Sequence, residues 1–287
     1  MGTNTKYKDS VFTFLFNDPD KLRELYCAIE GVNLPADIPI KINTLNDVLF
    51  MGQLNDVSFL IGDKLIVLIE HQSTINPNVA LRLFMYAGRV YEKTIDKKGI
   101  YSTKLIPIPR PEFYVLYNGT APYPDEGIVK LSDMFTKSDF FGLPEKSPAL
   151  DLEVRIININ HGHNEEIVKR CKTLRWYSVF VSKVREYQKE GMNLEESIKQ
   201  AIKYCIEHDI LKDFLEEHGT EVENMLLTEW NLEDAKEVWR EEGREEGREE
   251  GLLNTARNAI TEGASLEFIQ KITGLDIKII KNLKSEQ

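Results

Sequence analysis

The stretch DVSFLIGDKLIVLIEHQST, residues 56–74, constrains the fold of this chain more than any other. Leu65 to Ile69 is purely aliphatic, the pattern of a strand buried on both faces. A second apolar run, Val57–Ile61, precedes it across Gly62-Asp63-Lys64, so the pair reads as a hairpin. The aliphatic run then meets Glu70, His71 and Gln72, and Asp56 opens the run before it. Burying an unpartnered charge costs several kcal/mol. Ending two core strands on carboxylates therefore calls for a partner.

Parity sharpens the expectation. Side chains alternate along a strand, so Glu70 and Gln72 share the face of Ile66 and Leu68, while His71 points the other way. A two-residue Gly62-Asp63 loop pairs Asp56 with Ile69 and puts it on the wrong face. A three-residue loop, 62–64, pairs Asp56 with Glu70. A functional pair thus needs an odd loop or a bulge. Two adjacent carboxylates repel, and either a shared proton or a divalent cation relieves them. Magnesium takes oxygen ligands of this kind. Gln72 can orient water but carries no positive charge.

Around this hairpin the chain alternates strand and helix signals, which makes the expected class α/β with a mixed sheet. DSVFTFLFNDPDKLRELYCAIEGV reads as two short helices broken at Asp18-Pro19, with Gly31 as a stop. Residues 33–44 hold two prolines and read as a loop; strands are expected near 45–51, 55–61 and 65–72. Asn76 and Pro77 then open a helix. Ala80, Phe84, Ala87, Tyr91 and Ile95 share one of its faces, and Arg82, Tyr86, Arg89 and Lys93 another. EFYVLYNG, 112–119, is a strand stopped at Asn118-Gly119 and joined by a crossover; residues 150–159 form one more. Beyond Asn164 the pattern is helical: 165–190, 194–207 and 209–217.

Residues 240–251, REEGREEGREEG, repeat with period four and suit a solvated helix, read as a spacer or as a strand of a loose coiled assembly rather than a site. The tail reads as helix, Thr-Gly turn, helix. The expected organisation is a sheet domain over 1–162, a helical region over 163–239, the repeat linker over 240–251 and a helical tail over 252–287. The tail carries five Lys or Arg against four Asp or Glu, weak for reading a DNA groove, so self-association is the expectation for it.

The net charge of −11 argues against coating nucleic acid by charge alone. Residues 78–110, however, hold seven Lys or Arg against Glu92 and Asp96, a local +5. That segment is where phosphates would be held, by Arg82, Tyr86, Arg89 and Lys93. The polar opening MGTNTKYKDS, apolar runs far short of a membrane span, and three scattered cysteines lead to the expectation of a soluble cytoplasmic protein.

Asp56, then Glu70-x-Gln72, then a basic helix and another strand resembles the PD-(D/E)XK nuclease superfamily. NDVSFLIGDKLIVLIEHQSTINPN, LRLFMYAGRVYEK, DILKDFLEEHGTEVENML and the REEG-rich tail resemble the Rpn family of recombination-promoting nucleases, also labelled transposase-like proteins. The resemblance covers nearly the whole chain. It implies a PD-(D/E)XK, restriction-endonuclease-like sheet flanked by helices and a Mg2+-dependent DNA endonuclease of mobile-element or recombination type. Asp56 and Glu70 match the acidic residues that would hold the metal, with the His71 carbonyl as third ligand. Gln72 stands where the motif has Lys and would position water; Glu24 or Glu30 could lend a third acid. The alternative is an inactive nuclease fold acting as a DNA-binding or oligomeric scaffold, which Gln72 and the net charge support.

Other chemistry-bearing residues read as structural. Asp47, in the first expected strand, is a competing acid and is expected to be a turn or edge residue. His161 and His163, in NHGHN, have metal-like spacing but no Cys or acidic partner nearby in sequence, so a surface loop is expected. GxGxxG, GxxxxGK[ST] and GxSxG are absent from the sequence.

Overall fold

The computed structural model describes residues 10–42, 57–96, 98–136 and 147–285. Helices α1, Val11–Leu15, and α2, Pro19–Glu30, open the chain. The expected break is an N-cap: Asp18 Oδ1 accepts from the backbone N–H of Asp20 at 2.8 Å and of Lys21 at 3.1 Å. Pro19 occupies the first turn, and Gly31, at φ 67°, closes α2 in the left-handed conformation.

Among the described residues, six strands form one mixed sheet in the order β1-β2-β3-β4-β6-β5. They are β1, Ile40–Ile42; β2, Val57–Ile61; β3, Leu65–Gln72; β4, Arg110–Tyr117; β5, Glu126–Lys130; and β6, Glu153–Asn158. Two strands differ from the sequence reading. Residues 40–42, expected in a loop, form β1 as an antiparallel edge beside β2. The prolines lie at 35 and 39, just before the pairing residues, where they cost no ladder bond. β5 has no counterpart among the expected strands; Gly127 and two charged ends mask it, and pairing with β6 makes it. The strand expected near 45–51 lies outside the described residues.

β2 and β3 pair antiparallel with Val57 opposite Ile69 and Ile61 opposite Leu65. The loop is therefore 62–64, the odd one, with Gly62 at φ 57° and Asp63 at φ 56°. β3 connects through α3, Val79–Thr94, to parallel β4, as the crossover reading requires.

The sheet is covered on both sides, which is why β3 is apolar without alternation. On one side Ile66, Leu68, Val115, Tyr117 and Ile156 pack against α3 through Val79, Ala80, Leu83, Tyr86, Ala87 and Val90. This corrects the helix faces. Phe84 is 38% exposed, while Tyr86 is 6% exposed and part of the core. α3 is apolar around more than half its circumference, and the sheet decides which stripe is buried. On the other side, His71 stacks on Phe12 of α1, with ring centroids 4.8 Å apart.

The helical part begins with α4, Glu165–Arg170, and α5, Lys172–Lys189. The single helix expected over 165–190 is thus interrupted at Cys171, which has φ −110° and ψ 101°. α6 spans Leu194–Glu207 and α7 Lys212–Thr261, the latter kinked at His218 and helical through the whole REEG repeat. The chain divides into two compact units, Met1–Leu227 and Thr228–Gln287. The second has its own small core of Ala256, Ile269, Ile280 and Leu283. In it, α8, Leu266–Thr273, ends at Gly274, φ 71°, before α9, Ile277–Ser285, the expected helix-turn-helix arrangement. Among the described residues no helix is long and apolar enough to cross a membrane. Cys171 and Cys205 are buried, and burial pushes both thiols up to about 12, the behaviour of core residues.

Candidate active site

Glu70 is the feature of the sheet that packing does not explain. It sits on the α3 face near the carboxyl end of β3, 2% exposed. Gln72 Nε2 donates to Glu70 Oε2 at 2.6 Å, as the shared parity requires. Arg82, one turn into α3, brings Nη2 to 3.1 Å from both carboxylate oxygens. Burial pushes the Glu70 carboxyl above the usual range, and the Arg82 charge and the Gln72 bond oppose that shift. Arg82 Nε is buried and has no hydrogen-bond partner among the described residues.

Arg82 is thus not part of an open cationic face, as its spacing with Arg89 and Lys93 suggested; it is the counter-ion of Glu70. Sequence offered no signal for this pair, because the residues sit on different elements and meet only when α3 docks. Tyr86 is likewise placed in the core. Arg89 is half-buried and Lys93 exposed. Arg110, another of the seven cations, pairs with Glu112. Two of the seven are therefore neutralised by acids outside the 78–110 segment.

Asp56 lies outside the described residues, as does Asp47. The odd loop that its pairing with Glu70 calls for is present. His71 points to the opposite face, as expected. Its Nε2 lies 3.1 Å from the Tyr177 hydroxyl, and burial, with a smaller effect from Arg185, lowers its pKa to about 3. The imidazole is neutral and packed against Phe12 and Tyr177, on the opposite face from Glu70.

The candidate third acids have other partners. Glu24 accepts from the backbone N–H of Lys172 at 2.6 Å, at the start of α5. Glu30 accepts from the Tyr114 hydroxyl at 3.0 Å and from Arg155 at 3.1 Å. Tyr114 has the opposite parity to Val115, so Glu30 stands across the sheet from Glu70. His163 Nδ1 lies 2.6 Å from Asp125 Oδ1 in a surface loop. Among the described residues no group of three or more His, Cys, Asp or Glu is arranged to hold a metal ion.

Compared with protein families, residues 43–213 match the model described as "Putative transposase, YhgA-like". Comparisons with curated proteins and with solved structures find no match.

Proposed function

The chain belongs to the family of YhgA-like putative transposases, and from that premise we propose that it is a magnesium-dependent DNA endonuclease of mobile-element or recombination type on a PD-(D/E)XK sheet. The observation that carries this is Glu70: a carboxylate 2% exposed, held at a strand end between an amide and a guanidinium. Core packing alone gives no reason for it. The three-residue loop 62–64 and the pairing of Val57 with Ile69 are the ones that a pairing of Asp56 with Glu70 would require. That pair, with the His71 carbonyl, would hold the metal. The donors fit magnesium. Carboxylate oxygens are its usual protein ligands, and Arg82, whose side chain is 22% exposed, would have to turn away from Glu70 for the metal to bind.

Bound there, magnesium would supply charge stabilisation at a phosphodiester oxygen. The chain supplies the rest. Gln72, with Nε2 on Glu70, keeps its amide oxygen to accept from and orient an attacking water. Arg89 and Lys93, further along α3, hold flanking phosphates.

A second reading rests on the same contacts. Arg82 and Gln72 together satisfy Glu70 without a metal, which suits an inactive scaffold that binds DNA. Plasmid nicking separates the two. Wild-type protein should nick supercoiled plasmid in magnesium and not in EDTA, and Asp56→Ala should not nick in either. Wild-type protein that binds DNA but fails to cleave it whichever divalent cation is supplied would be the scaffold.

The phosphate-contacting residues have their own test. Replacing Arg89 and Lys93 with Ala should weaken DNA binding and flatten the slope of log K against log salt by about 2. The melting temperature should stay within about 2 °C, since neither side chain belongs to the core. Unchanged binding with a large fall in melting temperature would make them structural.

A further inference from the structure

Across the sheet from Glu70, a cavity of about 340 Å³ opens between α5 and the segments that follow β4 and β6. It lies at the carboxyl ends of parallel strands, where open α/β sheets hold their ligands. Ser178, Ser182, Arg185 and Lys189 recur on α5 every three to four residues, so one stripe of this helix lines it.

The stripe is rich in donors. Arg185 is held in place by the strand ends: Nη1 donates to Asn160 Oδ1 at 2.8 Å, and Nη2 donates to the Asn118 carbonyl. Lys189 makes no ion pair among the described residues. Glu186, the acid in the lining, is engaged by Lys183 at 2.7 Å. The Ser178 hydroxyl is the second observation. The residue is 4% exposed, and its Oγ has no hydrogen-bond partner among the described residues. Buried hydroxyls are rarely left so, and such an orphan beside a cavity marks a place where something polar sits. Arginine, lysine and hydroxyl donors converging on one space match an oxyanion with several acceptor oxygens. His161 and Tyr177 also line the cavity, and apolar Val181 and Ile159 offer a wall for a ring.

We propose that this cavity is a binding site for a phosphate monoester of mononucleotide size, its phosphate on Arg185 and Lys189 and its organic part against Val181 and Ile159. The site is separate from the Glu70 cluster and does not depend on the chain being a nuclease. It takes either a free nucleotide or the phosphorylated end of a strand.

The test is calorimetric titration and thermal melting of the full chain in EDTA with deoxyadenosine monophosphate, deoxyadenosine and inorganic phosphate. The monophosphate should bind and raise the melting temperature, and the nucleoside should do neither. Lys189→Gln, an exposed change that leaves folding intact, should weaken monophosphate binding about tenfold, or about 1.4 kcal/mol. Arg185→Gln should abolish it. If Arg185→Gln does not fold, Lys189→Gln and Ser178→Ala carry the test. Competition by a 5′-phosphorylated hairpin but not its 5′-hydroxyl form would identify the strand end as the source; displacement by the free nucleotide alone would identify the small molecule. No binding of the monophosphate at millimolar concentration, or equal binding by the nucleoside, would overturn the proposal and leave the Ser178 hydroxyl to water. So would unchanged affinity in Lys189→Gln. Glu70→Gln protein should bind the monophosphate as wild type does, so this site and the nuclease reading fail separately.

Discussion

Glu70→Gln is expected to remove magnesium-dependent nicking, by on the order of 100-fold or more, while leaving the metal-free protein as stable as wild type or slightly more so. The loss follows from replacing a charged oxygen ligand with a neutral amide. The stability follows from the surroundings of the residue. Burial is the largest influence on the carboxyl and raises its pKa despite Arg82 and Gln72. The ionised form is therefore held in the fold at a cost. Gln has the same shape, and its oxygen can still accept from Gln72 Nε2. Arg82 loses a partner, but its side chain is 22% exposed and can turn to water. The net gain is up to about 1 kcal/mol.

The sign with pH is set by the raised pKa. The folded state holds its proton at higher pH than the unfolded chain, so wild-type stability from this group is present below the ordinary carboxylate range and is lost as pH rises through the folded value. The advantage of the Glu70→Gln protein should be largest at neutral pH and should shrink as the buffer is acidified. Melts in EDTA across that range, beside the nicking assay, measure both parts. A Glu70→Gln protein that melts many degrees lower at neutral pH would make the Arg82 pair structural. Persistent nicking would remove Glu70 from the chemistry. Gln72→Lys should keep nicking, since a lysine ammonium can replace the Nε2 donor to Glu70.

Gly119→Ala should be among the most damaging single changes in the chain. A Cβ there would lie 1.8 Å from the Ser73 carbonyl oxygen and 2.5 Å from the Tyr117 hydroxyl oxygen. Ser73 follows Gln72 directly, and the Gln72 carbonyl accepts from the Asn118 N–H at 3.0 Å. The ends of β3 and β4 would have to separate at the site itself. The cost is on the order of 3 kcal/mol or more, a fall of about 10 °C in melting temperature. Gly88→Ala is the matched control. Nothing lies within 4 Å of the added methyl, and the position is inside α3. There the change should stabilise by up to about 1 kcal/mol. If the two variants melt alike, the approach of Gly119 to Ser73 is not the constraint described.

Asn118-Gly119 illustrates how far a sequence reads. As a strand stop it was visible; that the glycine is demanded by the neighbouring strand's carbonyl was not. The same division runs through the molecule. Caps and stops depend on a few adjacent residues, so Asp18-Pro19, Gly31 and Gly274 were legible. β3 was legible because five aliphatic residues in a row suit a strand covered on both sides. Its pairing with β2 was limited to two registers by loop length, and the parity of Glu70, His71 and Gln72 followed from the period of two.

What the sequence determined by itself, then, was whatever backbone periodicity and local hydrogen bonding control: the ends of α2 and α8, the central strands, and which of three consecutive polar residues share a face. Which partners those residues meet was decided only in three dimensions. α3 carries apolar residues around most of its girth, and contact with Leu68, Val115 and Tyr117 chose the stripe that buries Tyr86. That one rotation also turned Arg82 from a surface cation into the counter-ion of Glu70. β1 and β5 exist because sheet edges offered them ladder bonds that their own residues do not announce. Side-chain pairing across elements depends on how helices dock, a property of summed packing that no short window of sequence contains.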